Sequence, residues 1–175
     1  MKRSELEHII RAAGAISGDD QIIVIGSQSL LGQYPDAPSG LLVSMEADVY
    51  PRSHPARSEL IDGAIGEGSA FHEQFGYYAQ GVDESTATLP RGWESRLVAV
   101  DNENTRGVTG WCLEVHDLAI SKYAAGRPKD LQFTRELARH DMTRKAVLAR
   151  RLKLTRLPSS VRELVTMRIK RDFTP

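Results

Sequence analysis

Residues 22–51 read IIVIGSQSLLGQYPDAPSGLLVSMEADVYP, two strand-like runs joined by a short helix-compatible segment and a proline-containing loop. A β-branched run ends in Gly26 and Ser27, a helix-compatible segment follows, and a second strand-like run carries Glu46 and Asp48 two residues apart. Strand side chains alternate faces, so Glu46 and Asp48 make a carboxylate pair on one face while Ala47 and Val49 turn toward a core. Gly26 and Ser27 fall where strand gives way to helix, and free backbone N–H groups at a helix start attract phosphate oxygens. One end of the unit offers phosphate donors; the other offers oxygens for a hard cation. Mg²⁺ takes a few carboxylate oxygens and leaves its other positions to waters and substrate phosphates. Two such ions can hold attacking and leaving oxygens in line, as metal-assisted phosphoryl or nucleotidyl transfer requires. Either half alone is common in α/β domains, and it is their order and separation that carry the information.

Around this unit, 175 residues suffice for one sizeable core, so the expectation is a single domain with a helical appendage. No apolar run reaches the length of a membrane span, and MKRSELEHII lacks the apolar region of a signal peptide, which predicts a cytoplasmic protein. The lone Cys112 excludes an internal disulfide and a multi-cysteine metal site, and it reads as a small buried residue. The formal net charge of zero sums two unlike parts. Residues 1–134 carry 11 Lys/Arg against 19 Asp/Glu, and residues 135–175 carry 12 against 4. A basic segment behind an acidic one can attract a nucleic-acid acceptor, and it can equally be a solvated helical face or dock on its own acidic half or a protein partner.

The first helix is expected from Ser4, with Glu7 closing a capping box and Leu6, Ile9, Ile10, Ala13 and Ile16 facing the core. SGDD at 17–20 reads as a turn with Asp19 and Asp20 solvated, and the all-apolar run 22–25 as a central strand. A short helix holding Leu30 and Leu31 ends near Gly32, ahead of Pro35 and Pro38, and Pro51 stops the acidic strand. Arg52, His54 and Arg57 follow it closely, as loop residues or as contacts to phosphate or an acceptor. Ser58–Ile65 suits a helix with Leu60, Ile61, Ala64 and Ile65 inward. Gly63, Gly66 and Gly68 follow that helix and lack the Lys-Ser/Thr ending of a P-loop, which rules that motif out. Further strands are expected at 77–82, 96–100 and 111–115. In the block 111–133 a helix starts at His116 or Asp117, Lys122 emerges from it, and Arg127, Lys129 and Asp130 follow across Gly126. Asp130 there can equally cap the next helix. From 130 onward the chain reads as helical, with breaks at 140–143 and Pro158. The last helix turns Val161, Leu164, Val165 and Ile169 inward. The basic residues of 135–171 have no Phe, Trp or Tyr interleaved with them, a composition suited to backbone phosphate contact rather than base stacking.

The strand ending in Gly26-Ser27 followed by acid-apolar-acid at 46–48 resembles the nucleotidyltransferase-fold superfamily, and within it AbiEii-type and MenT-type toxins of type IV toxin–antitoxin systems. Their fingerprint sets Arg, Thr, Asp and Asp at alternate positions of the second strand, where this chain has Leu42, Ser44, Glu46 and Asp48. The helical Lys122 followed by a basic-basic-Asp cluster resembles their second fingerprint. The resemblance implies an α/β (α+β) nucleotidyltransferase fold: a mixed central sheet flanked by helices in residues 1–128, then a basic helical region in 129–175. It implies Mg²⁺ on Glu46 and Asp48, phosphate against Gly26 and Ser27, and Lys122 on the triphosphate. Asp130 would be acid, base or orienter, and the hydroxyl proton would go to Asp48, Asp130 or a water. A third carboxylate is common in such folds, with Asp83, Asp101 and Glu114 as candidates. The implied reaction moves a nucleotidyl group from a nucleoside triphosphate to an acceptor hydroxyl on RNA, tRNA or protein, in a cytoplasmic toxin–antitoxin setting with a cognate antitoxin or toxin as partner. Leu42 and Glu46 depart from the pattern and keep open a non-catalytic binding module or antitoxin subunit. A small-molecule nucleotidyltransferase is a further alternative.

Overall fold

The computed structural model describes residues 1–174. Helix α1 (Arg3–Ser17) leads into β1 (Gln21–Val24), a short 3₁₀ turn and α2 (Leu30–Gln33), and the chain returns as β2 (Glu46–Pro51). Helices α3 (Ser58–Ile65) and α4 (Ala70–Phe75) precede β3 (Tyr78–Gly81), β4 (Val98–Val100) and β5 (Thr109–Cys112). Four helices close the chain: α5 (Val115–Ala125), α6 (Pro128–Arg139), α7 (Lys145–Lys153) and α8 (Ser159–Asp172). The five strands form one mixed sheet in the order β3-β2-β1-β5-β4. Strand β1 is central, antiparallel to β2 and parallel to β5, and Ile22, Ile23 and Val24 are buried on both sides, as an uninterrupted apolar run predicts. None of the described helices is long and apolar enough to cross a membrane.

Alternation along the strands divides the apolar interior in two. Ile22, Val24, Ala47, Val49, Ala79 and Cys112 pack with Leu6, Ile9, Ile10 and Ala13 of α1 and Ile61 and Ile65 of α3. On the other face Ile23, Ile25, Tyr50 and Leu113 pack with α5 and, through it, with Leu137, Leu148, Leu152, Val165 and Ile169 of the last three helices. The C-terminal helices therefore share a core with the sheet. Glu46 and Asp48 alternate with buried Ala47 and Val49 and lie on the face that α5 and α6 cover.

Several local expectations are corrected. Helix α1 is closed by Glu5, whose Oε2 accepts from Lys2 N at 2.6 Å, while Glu7 is buried and accepts from Arg3 Nε at 2.9 Å and the side-chain amides of Asn102 and Asn104 at 2.8 Å. Asp19 is buried, not solvated, and its carboxylate accepts from Gln21 N at 3.0 Å and Ser53 N at 2.8 Å. Of the four α3 residues expected inward, Ile61 and Ile65 are buried, while Leu60 and Ala64 face solvent. Leu164 of α8 is also exposed. Strand β5 ends at Cys112 and Glu114 caps α5, so Val115 is already helical. Strand β2 begins at Glu46, which leaves Leu42 and Ser44 on the preceding loop rather than on a common strand face with the acids.

Candidate functional site

One cleft of about 580 Å³ is lined by Ser27, Glu46 and Asp48 together with Gln80, Lys122, Arg127, Lys129 and Asp130. The β1–β2 pairing brings the Gly26–Ser27 turn and the Glu46–Asp48 pair together in space. Val24 stands opposite Val49, Ile25 N donates to Asp48 O at 3.0 Å, and the next residue, Gly26, meets the Asp48 side chain. Gly26 is buried, and a Cβ built there would collide with Oδ2 of Asp48 and lie 2.7 Å from its Cγ. The glycine is needed for this close approach and not for its backbone conformation, since a φ of −79° is open to any residue. Ser27 opens a three-residue 3₁₀ turn that runs directly into α2, shorter than a full helix start.

The opposite wall comes from the corner between α5 and α6. Gly126 at φ +67° ends α5 in the left-handed conformation that glycine adopts without penalty, and α6 starts two residues later. Lys122 projects from the last turn of α5, and its Nζ lies 3.3 Å from Oδ1 of Asp130. Asp130 occupies the third position of α6 and is buried. Its Oδ2 accepts from Arg127 Nε at 2.6 Å and from Arg127 N at 3.3 Å, and its Oδ1 accepts from Arg127 Nη2 at 3.2 Å. Asp130 is thus both a cap and a clamp on two cations, as a bidentate guanidinium–carboxylate pair allows. Lys122 also stands over the ring of Phe133, 5.9 Å from its centroid.

The carboxylates differ in their titration. Burial pushes the Asp48 carboxyl up from its ordinary value and the neighbouring Glu46 charge adds to this, against the pull of Lys122, Lys129 and Arg127. Burial also acts upward on Asp130, but the Arg127 hydrogen bonds and the Lys122 charge outweigh it and hold that carboxyl low. Glu46 Oε2 accepts from Tyr78 Oη at 3.0 Å, and burial together with this bond pushes the phenol up to about 12. Asp48 is the carboxylate of the cleft that binding of a cation would relieve most.

The structure brings Gly26, Ser27, Glu46, Asp48, Lys122 and Asp130 into this one cleft. It keeps others away. Arg52 stacks on Trp111, His54 stands by Asp19 and Arg57 donates to Ser17 O, all at the end of β2 remote from Asp48. None of the three candidate third carboxylates lines the cleft. Asp83 caps a turn through Ser85 N at 2.8 Å, and Asp101 is exposed beyond the edge strand β4. Glu114 is held by His116 Nδ1 at 2.6 Å and lies 3.8 Å from Arg151. The position beside Asp48 in the parallel β2–β3 ladder belongs to Gln80, a residue that sequence reasoning passed over because nothing local marks the register. Among the described residues no group of three or more His, Cys, Asp or Glu is arranged to hold a metal. The two carboxylates on adjacent same-face positions, with the space over Asp48 kept open by Gly26, fit a hard cation that draws its remaining ligands from phosphate and water.

A second, wider groove of about 1030 Å³ lies between the loop at 88–94 and the segment 153–158, lined by Arg91, Lys153, Arg156 and Arg162 and by Trp93. The loop after β3 serves both sites, with Val82 and Thr86 in the cleft and Thr88 and Leu89 in the groove. The basic C-terminal region thus has an aromatic partner after all, supplied from a distant part of the chain.

The sequence model of one family, described as a nucleotidyltransferase of unknown function (DUF6036), matches residues 4–153. No curated protein and no solved structure matches the chain.

Proposed function

The chain belongs to this DUF6036 family of nucleotidyltransferases, and from that premise we propose that it moves a nucleotidyl group from a nucleoside triphosphate to an acceptor hydroxyl with the help of Mg²⁺. The observation that carries the proposal is the meeting, in one cleft, of the Glu46–Asp48 pair, the Gly26–Ser27 turn and the cations Lys122, Arg127 and Lys129. In the reaction the acceptor oxygen forms a bond to the α-phosphorus while the bond from that phosphorus to the bridging oxygen breaks, and pyrophosphate leaves. Glu46 and Asp48 would hold Mg²⁺, which when bound supplies charge stabilisation to the phosphate oxygens. Gly26 and Ser27 offer backbone donors to phosphate, and Lys122, Arg127 and Lys129 balance the charge gathering on pyrophosphate. Asp130 acts as a positioning residue, because both its oxygens are engaged by the cations it aims. The hydroxyl proton goes to Asp48 or to a water.

The basic groove with Trp93 supports a nucleic-acid acceptor: phosphates meet Arg91, Lys153 and Arg156, and a base can stack on the indole. On this reading the acceptor is an RNA such as tRNA, and the setting is a cytoplasmic toxin held in check by an antitoxin, which the likeness to AbiEii-type and MenT-type toxins supports. The test is incubation of the protein with each α-labelled nucleoside triphosphate and total RNA, with and without Mg²⁺, beside Asp48→Asn. Mg²⁺-dependent labelling of RNA that the variant loses is the expected result. Triphosphate binding with no labelled product would turn the reading into a binding module, and labelling that survives in Asp48→Asn would remove the site.

A further inference from the structure

The charge inventory of the cleft bears on how many cations it takes, an inference that rests on the function proposed above. In the parallel β2–β3 ladder, Glu46 lies beside Tyr78 and Asp48 beside Gln80, so those side chains leave the sheet on one face. Tyr78 donates to Glu46, and Gln80 lines the cleft with an uncharged amide. The third acid in the cleft, Asp130, already has both oxygens engaged by Arg127 and Lys122. Glu46 and Asp48 are the two negative charges of the cleft that form no ion pair among the described residues, and together they match one divalent ion. A second ion placed about 4 Å from the first, as two-ion sites require, would meet four times the repulsion of two unit charges at that distance and no further carboxylate to offset it. It would also face Lys122, Arg127 and Lys129.

We propose that the cleft takes a single divalent cation on Glu46 and Asp48, that Gln80 and the three basic side chains keep a second one out, and that those bases serve the leaving phosphates in its place. Lys122 is suited to this, being fixed by Asp130 and Phe133 before any substrate arrives. The site then depends on metal for one part of its charge stabilisation and on fixed side chains for the other.

The test counts bound ions. Mn²⁺ bound per chain is measured by equilibrium dialysis and electron paramagnetic resonance on the full chain, with the α,β-methylene analogue of each of the four nucleoside triphosphates at saturation. One ion per chain is expected in the wild type, and two with a spin-coupled signal in Gln80→Glu, which restores a charge beside Asp48. Gln80 is exposed, so the substitution is tolerated by the fold, and Gln80→Asp is a second variant with the same expectation. Two coupled ions in the wild type would overturn the inference and leave the proposed function standing. A single ion in both folded Gln80 variants would likewise overturn it. Absence of any nucleotide-linked Mn²⁺ would remove the proposed function and this inference with it.

Discussion

Gly26→Ala is the most direct perturbation of the cleft, because one methyl group separates a stability effect from a conformational one. At φ −79° and ψ −171° alanine meets no backbone penalty, so the whole effect is steric. The new carbon would overlap Oδ2 of Asp48, with Cγ at 2.7 Å and Cβ at 3.0 Å. Rotation of the carboxylate relieves the first two contacts and leaves the third, because the Asp48 Cβ is set by a strand whose neighbours Ala47 and Val49 are fully buried. Overpacking of this kind costs about 1–3 kcal/mol. For a chain of this length that lowers the melting temperature by about 2–12 °C, at roughly 2–4 °C per kcal/mol. The displaced carboxylate also leaves the position from which it would hold a cation, so Mn²⁺ affinity in the presence of a triphosphate analogue should fall about 10–100-fold, as when a supporting residue of a metal site is lost. Gly40→Ala is the control: Gly40 lines the same cleft, and a Cβ there meets nothing within 4 Å. Calorimetry and Mn²⁺ titration of the two variants decide the matter. If Gly26→Ala matches Gly40→Ala in both stability and ion affinity, the close approach of Gly26 to Asp48 is not what shapes the site.

Asp48→Asn should lose cation binding yet melt higher than the wild type at neutral pH. Because burial and Glu46 raise the Asp48 pKa in the folded state, its ionisation costs stability as pH climbs from the ordinary carboxylate range through the raised value, and the advantage of Asn should disappear below that window. A variant less stable than the wild type at pH 7 in urea titrations would contradict this. Arg127→Gln should destabilise the fold by about 1–3 kcal/mol, since Asp130 stays buried with Lys122 as its remaining charged partner. The carboxyl of Asp130 is held low, so its contribution is present above the ordinary range and lost as pH falls through the depressed value; pH-dependent melts of the variant should show a smaller acid-side loss, because Lys122 still lowers the carboxyl. In the basic groove, Arg156→Ala should reduce the salt dependence of RNA binding by about one phosphate contact, whereas Trp93→Ala should weaken binding with little change in salt slope. Equal salt slopes for the two variants in filter binding would argue against an acceptor path there.

The parts of the site carried by short-range pattern were legible in the sequence. Glu46 and Asp48 share a face because a strand has period two, and Gly26 marks the end of β1 because an apolar run stops there. Lys122 and Asp130 needed only a helix, a glycine stop and a new helix start between them. What the sequence concealed depends on register or on which helix face finds a partner. Gln80 stands beside Asp48 only once β3 is known to pair in parallel with β2, and no local feature of YAQG says so. Leu60 and Ala64 fit an inward stripe on paper, but α3 rests on α1 and β3 through the narrow ridge of Ile61 and Ile65. Trp93 lies 60 to 69 residues from Lys153, Arg156 and Arg162 across the groove, so the groove exists only in the folded chain.

The central place of β1 in the sheet has a consequence for synthesis. Its neighbour β2 emerges soon after it, but its other neighbour begins at Thr109, paired with Gln21. At roughly 5–20 residues per second the ribosome needs about 4–18 s to pass from one to the other. For that interval the nascent chain holds its most apolar strand with one edge bare, a window in which a chaperone or a neighbouring polysome product competes with β5 for the same row of hydrogen bonds.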